Sequence, residues 1–236
     1  MGVMDDLAPC GRLVASINVG NPVLAHTDAG APRGVSVDIA AELAARLGVP
    51  VEYLCFTAAR HSFAALIGGA ATVGFLAIEP ERAEQVHFSA PYALIDGVFV
   101  VPTASPLREV ADVDAPGVRI GVKEGSAYDL FLTRSVQHAE VLRGVEGTAV
   151  LREHELEAGA GIRQPVSEFV RDHPQYRVIE EPFMQIRQAV ALRRALSAET
   201  CRFVDDCVED LKANGFIAAS LAASGQSGVP VAPPGA

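Results

Sequence analysis

Apolar residues along this chain follow two alternating spacings, and the alternation runs almost from end to end. Short apolar runs at residues 13–17, 50–56, 72–78 and 97–101 have the length and composition of buried strands. Between them, apolar positions recur three or four apart, as one face of a helix requires. Ile39, Leu43 and Leu47 share such a face, with Ser36 placed to cap the helix and Gly48 to stop it. A second helical stretch covers residues 63–67 and ends at Gly68 and Gly69, and Pro80 suits the first turn of a short helix. The pattern then restarts. Strands are expected at 118–122, 140–142, 158–162, 177–179 and 188–193, and helices at 126–136, 148–155, 165–172, 198–213 and 216–223. Such alternation implies an α/β fold with mainly parallel sheets. The restart after Pro102-Thr103-Ala104-Ser105-Pro106 implies two lobes, and the lack of a fixed repeat period argues against a solenoid.

Composition narrows the function. The 236 residues are half hydrophobic and one-fifth charged, which supplies a packed core. The formal charge of −10 argues against a nucleic-acid surface and leaves room for a local cationic pocket. The longest uncharged stretch, 62–78, is broken by Gly68, Gly69 and Gly74 and is shorter than the roughly 20 residues a membrane span needs. The first nine residues carry Asp5 and Asp6 and lack the basic end and apolar segment of an export signal. The expected location is therefore periplasmic if a signal has been removed, and cytoplasmic otherwise. Cys10, Cys55, Cys201 and Cys207 lack CxxC spacing and are expected to be reduced thiols. The Gly- and Pro-rich end and the first ten residues, 226–236 and 1–10, are expected to be flexible.

Few patterns suggest covalent chemistry. The six histidines are scattered, and His154 among Glu153, Glu155 and Glu157 reads as a solvated helix face rather than a metal site. There is no GxSxG elbow, and Gly121-Val122-Lys123-Glu124-Gly125-Ser126 lacks the Gly-Lys-Ser/Thr ending of a phosphate-binding loop. No metal or cofactor is expected. The 121–126 segment does lead from a strand into a helix. Its backbone N–H groups suit an anion, or it is an ordinary turn capped by Ser126. Arg82 follows a buried strand. It can grip a carboxylate with two parallel bonds, or pair with Glu79 or Glu84.

Four segments carry a resemblance: PRGVSVDIAAELAARLG (32–48), AIEPERAEQVHFSAPY (77–92), GVRIGVKEGSAYDLFL (117–132) and AGAGIRQPVSEF (158–169). Together they resemble the bacterial extracellular solute-binding proteins of family 3, receptors of ABC importers. The resemblance implies a two-lobed periplasmic-binding-protein type II fold with two crossing hinge strands. Residues 11–100 with 186–225 would form one lobe and 101–185 the other, with hinges near 99–102 and 183–188. It also implies a ligand site drawn from Asn18, Asn21, Phe75, Ala77, Arg82, Ser126, Ala127 and Arg163, with Arg82 on a ligand carboxylate.

Several of these positions depart from the family pattern. Phe75 and Ala77 stand where strand hydroxyls usually help the arginine, and Gly20 and Asn21 stand near the usual stacking aromatic. Arg163 stands where an acid usually takes an α-amino group. Two arginines and a helix start imply a small anionic solute, such as a dicarboxylate, unless Arg163 pairs with Glu157 or Glu79. The implied partners are a small-molecule ligand and an ABC permease, without nucleic acid, and the chain is expected to be a monomer. Binding without catalysis is the leading reading. Two others stay open: a dehydratase of the cyclohexadienyl or prephenate type, with Glu79 as the acid, and a cytoplasmic ligand-sensing module.

Overall fold

The computed structural model describes residues 2–235. It divides into two compact units, one holding the residues up to Leu94 and those from Arg187 onward, the other Ile95–Ile186. The chain begins with α1 (Val3–Leu7), β1 (Leu13–Asn18), a short hairpin of β2 (His26–Asp28) and β3 (Ala31–Arg33), α2 (Val35–Leu47), β4 (Val51–Phe56), α3 (Ala59–Ile67), β5 (Val73–Ala77), α4 (Pro80–Ala83) and the long β6 (Val86–Pro102). It continues with a 3-10 turn (Val110–Val113), β7 (Arg119–Lys123), α5 (Ala127–Ser135), β8 (Glu140–Gly144), α6 (Gly147–Glu153), β9 (Ala158–Ile162) and α7 (Arg163–Asp172). The long β10 (Tyr176–Arg193) returns it to the first unit, where α8 (Ala198–Ala213) and α9 (Phe216–Ala223) follow.

In the first unit β1 lies parallel to β4 and β5, and β10 closes antiparallel on β5, with Gln188 opposite Ala77. Leu13, Ala15 and Ile17 of β1 are fully buried, and so is Ser16 between them. A strand covered on both faces has no water for such a hydroxyl. Ser16 Oγ is instead satisfied by Ser62, at 2.6 Å to its Oγ and 2.9 Å to its carbonyl. Leu66, Leu76, Val86 and Ala191 form one core cluster of this unit. In the second unit β7 lies parallel to β8 and β9, and β9 runs antiparallel to β6. Val98, Val100, Val150, Leu151, Leu156 and Val166 pack together there. α6 comes so close to the sheet that a Cβ on Gly147 would lie 2.1 Å from the Ala160 carbonyl oxygen, so only glycine fits.

Several expectations from the sequence are corrected. Gly34, at φ 114°, is the N-cap of α2, and Ser36 lies inside the helix with its hydroxyl 2.9 Å from that of buried Tyr92. Gly48 does end the helix, in the left-handed conformation at φ 69°. The strands expected at 97–101, 177–179 and 188–193 are parts of two longer ones, β6 and β10, of 17 and 18 residues. The chain passes between units at Leu94–Ile95 and Ile186–Arg187. Residues 95–100 and Ile186 therefore fall in the second unit and not the first, and pairing with β9 fixes 97–100 there.

The described termini are not loose either. Leu7 is fully buried, and Asp6 accepts hydrogen bonds from the Ser197 amide and hydroxyl and the Thr200 hydroxyl. At the other end Ala93 bridges Val231, and buried Lys212 donates to the Pro233 carbonyl. A few buried apolar and charged anchors offset the ordering entropy of a Gly/Pro-rich segment. All four cysteines are free thiols. Among the described residues no helix is long and apolar enough to cross a membrane.

Candidate functional site

The candidate residues fall into two sets, each on or just beyond the carboxyl halves of neighbouring parallel strands. That is where open α/β sheets place their ligands, because helix N-termini and loop amides converge there. In the first unit Asn18 and Asn21 follow β1, while Phe75 and Ala77 lie on β5 and Arg82 follows it. In the second unit Ser126 and Ala127 follow β7, and Arg163 follows β9.

Arg82 is set by its helix. Pro80 occupies the first turn of α4, which turns the chain back so that Arg82 Nη1 reaches the Ala77 carbonyl at 3.4 Å. The residue is only 4% exposed. Burial pulls its guanidinium below the ordinary value, against the charges of Glu79 and Glu81, which hold it up. Phe75 and Ala77 are buried and apolar, and Phe75 meets Tyr92 edge-on with ring centroids 6.3 Å apart. They add no polar side chain beside Arg82.

Asn18 Oδ1 accepts from the Gly20 amide at 3.1 Å. Asn21 is 7% exposed, and its Oδ1 is buried without a hydrogen-bond partner. The lack of an aromatic here has a steric cause, since a Cβ on Gly20 would lie 1.9 Å from the Thr57 carbonyl oxygen. The backbone occupies the space a ring would need.

Ser126 caps α5 by accepting from the Asp129 amide at 3.1 Å. Asp129 turns its own carboxylate onto the Gly125 amide at 2.8 Å and pairs with Arg143 at 3.0 Å. The amides of Ala127 and Tyr128 have no acceptor inside the helix, as in any first turn. This helix start already holds one carboxylate, so it offers an incoming anion less than a bare one would.

Arg163 is the first residue of α7. Its Nε donates to Asp96 Oδ2 at 3.0 Å, Nη1 to Glu180 Oε2 at 3.2 Å, and Nη2 to the Glu180 carbonyl at 2.7 Å. The expected partners were Glu157 or Glu79. Arg119 holds Glu157 instead, through both carboxylate oxygens. Asp96 and Glu180 were missed by sequence reasoning. Asp96 had a signal, as a charged residue inside the apolar run of β6; Glu180, next to Glu181 and just after the expected strand at 177–179, had none. Among the described residues no group of His, Cys, Asp and Glu is placed to hold a metal ion.

Comparison with known proteins follows from this geometry. Residues 13–223 match the family described as bacterial extracellular solute-binding proteins, family 3. No curated protein matches this chain. Among solved structures, the solute receptor for L-cysteine of Neisseria gonorrhoeae is similar at TM-score 0.79 and 22% identity, covering 95% of this chain and 93% of that one. An amino acid ABC transporter substrate-binding protein from Streptococcus pneumoniae, bound to L-arginine, gives 0.77 and 20%, covering 96% and 99%. Holo ArgBP from T. maritima gives 0.73 and 23%, covering 88% and 93%. The fold is that of these type II periplasmic binding proteins. The family match runs from β1 through α9 and takes in both units, and on that ground the chain belongs to the bacterial extracellular solute-binding proteins, family 3.

Proposed function

We propose that this chain is the solute-binding component of an ABC importer, working outside the cytoplasmic membrane, and that it recognises the carboxylate of a small organic solute. The observation that carries this reading is Arg82, a guanidinium 4% exposed at the carboxyl end of β5. A guanidinium held at the carboxyl end of a parallel strand can offer its planar fork to a carboxylate. Asn21, with its buried Oδ1, stands beyond the adjacent strand as a further polar contact for the solute.

The choice among carboxylates turns on Arg163. A dianion would need it as a second free cation, yet it faces Asp96 and Glu180. One positive charge against two negative ones suits a ligand ammonium better than a second carboxylate. The reading is therefore an amino-acid-like solute, in keeping with the L-arginine and L-cysteine named for the structural neighbours.

The test is calorimetric titration with L-arginine, L-cysteine, their methyl esters, and succinate. Binding of at least one free amino acid, lost on esterification, is the expected result. An ester that binds as tightly as its acid, or succinate bound in preference to both amino acids, overturns the reading.

A further inference from the structure

The first unit also holds a cavity of about 720 Å3 whose walls include none of the eight candidate residues above. It is bounded by the start of β6, by α8, and by Ala83 of α4. Two of its polar wall groups are incompletely satisfied. His87 Nε2 and Asp205 Oδ1 are shielded from solvent and have no hydrogen-bond partner. The other carboxylate oxygen of Asp205 forms an ion pair with His87 Nε2 at 3.6 Å, longer than a hydrogen bond, and Oδ1 stays without a partner. Buried polar atoms without partners are uncommon and mark a place where a partner is wanted, a donor in the case of the Asp205 oxygen.

The same cavity carries a cation. Arg187 lines it, and the structure gives this exposed guanidinium no side-chain hydrogen bond or ion pair among the described residues. Arg194 also lines the cavity, with its Nη1 already donating to the Ala83 and Glu84 carbonyls. Ile78, Val86 and Phe88 supply apolar wall. An ammonium can donate to the unpartnered carboxylate oxygen of Asp205 with His87 beside it. An anion alone would be drawn to Arg187 and repelled by Asp205, and a cation alone would meet the reverse.

We propose that this cavity is a second binding site, specific for a small zwitterion, with the ligand ammonium on Asp205, next to His87, and its carboxylate on Arg187. Burial raises the Asp205 carboxyl, and Asp206 and Glu209 push the same way, against the pull of His87. An ammonium beside it would draw the carboxyl back down. The site does not depend on the Arg82 reading.

The experiment uses the full chain carrying Arg82→Ala, with glycine as the zwitterion and acetate and methylammonium as its two halves. The readout is the imidazole signal of His87 by NMR, assigned with His87→Gln. Glycine should shift that signal saturably, and each half should bind at least about tenfold more weakly. Adding Arg187→Ala or Asp205→Asn should each weaken glycine about tenfold or more, with the unfolding midpoint unchanged. No saturable shift, equal binding of acetate or methylammonium, or indifference to Arg187→Ala overturns the proposal. If the Arg82 reading fails instead, Arg82→Ala leaves the calorimetric titrations unaltered while the His87 signal still reports this cavity, so the two failures are distinct.

Discussion

Arg82 and Arg163 are near look-alikes in the sequence, each just after a buried strand and at the start of a helix. Their surroundings differ. Arg82 is 4% exposed, with a backbone carbonyl at 3.4 Å and the charges of Glu79 and Glu81 felt from its own helix and N-cap. Arg163 keeps 27% of its side chain exposed and is gripped by Asp96, 67 residues away, and Glu180, 17 away. Burial sets the first apart, a guanidinium held away from water beside the charges of its own helix and N-cap. Ion pairing makes the second a brace across β6, α7 and β10, and leaves it little attraction for another anion. Position after a strand says where an arginine begins; what lies beside its guanidinium decides what it does.

The largest expected effect bears on the first member of that pair. Arg82→Ala should weaken solute binding by about 2–5 kcal/mol, the usual loss when one partner of a buried charge pair is removed. Arg82→Lys should recover only part of it, because an ammonium keeps the charge and loses the planar fork. Titration calorimetry decides this, and a loss under about 1 kcal/mol would place the carboxylate elsewhere.

Next comes the platform under Arg163. Gly147→Ala puts a Cβ against the Ala160 and Gly121 carbonyl oxygens, at 2.1 and 2.7 Å. Backbone cannot yield as a side chain tip would. The cost should reach the upper end of the roughly 1–3 kcal/mol of overpacking, read from urea unfolding. An unchanged unfolding midpoint would mean that α6 can shift away from the sheet.

Arg163→Met should have a smaller effect, about 1 kcal/mol or less in stability for partly exposed pairs. It should leave the ratio of succinate to amino-acid affinity within about threefold, since Arg163 is matched by its own carboxylates. A selective collapse of succinate binding would instead give Arg163 a place on the ligand, and the contrast with Arg82 would fall.

The smallest effect concerns a charge held by hydroxyls and an amide. The Thr200 hydroxyl lowers the Asp6 carboxyl below its ordinary 3.8; burial opposes this, and the Ser197 amide and hydroxyl add to the lowering. A folded value below the unfolded one stabilises the fold above about pH 4 and loses that contribution as the pH falls through the folded value. Asp6→Asn should flatten the acid side of a plot of melting temperature against pH. An unaltered slope below about pH 5 would mean that the carboxyl is not held in solution.

Much of the architecture was legible in the sequence. The alternation of spacings located most strands and helices, Gly48 and Ser126 marked helix ends, and the four segments carried the family. These signals are local, arising between residues three or four apart on a helix or alternating along a strand, and the chain states them directly. The rest depended on which elements became neighbours. Ser36 became a buried partner of Tyr92, and not a cap, because α2 packs where β6 brings that hydroxyl. The described end segments were tied down through Asp6, Val231 and Pro233 by Thr200, Ser197, Lys212 and Ala93, all remote in sequence. Arg163 could be placed after β9 from its motif. Its neutralisation required β6 and β10 to bring Asp96 and Glu180 beside it, and a guanidinium's energy depends on the charges and water around it wherever they fall in the chain.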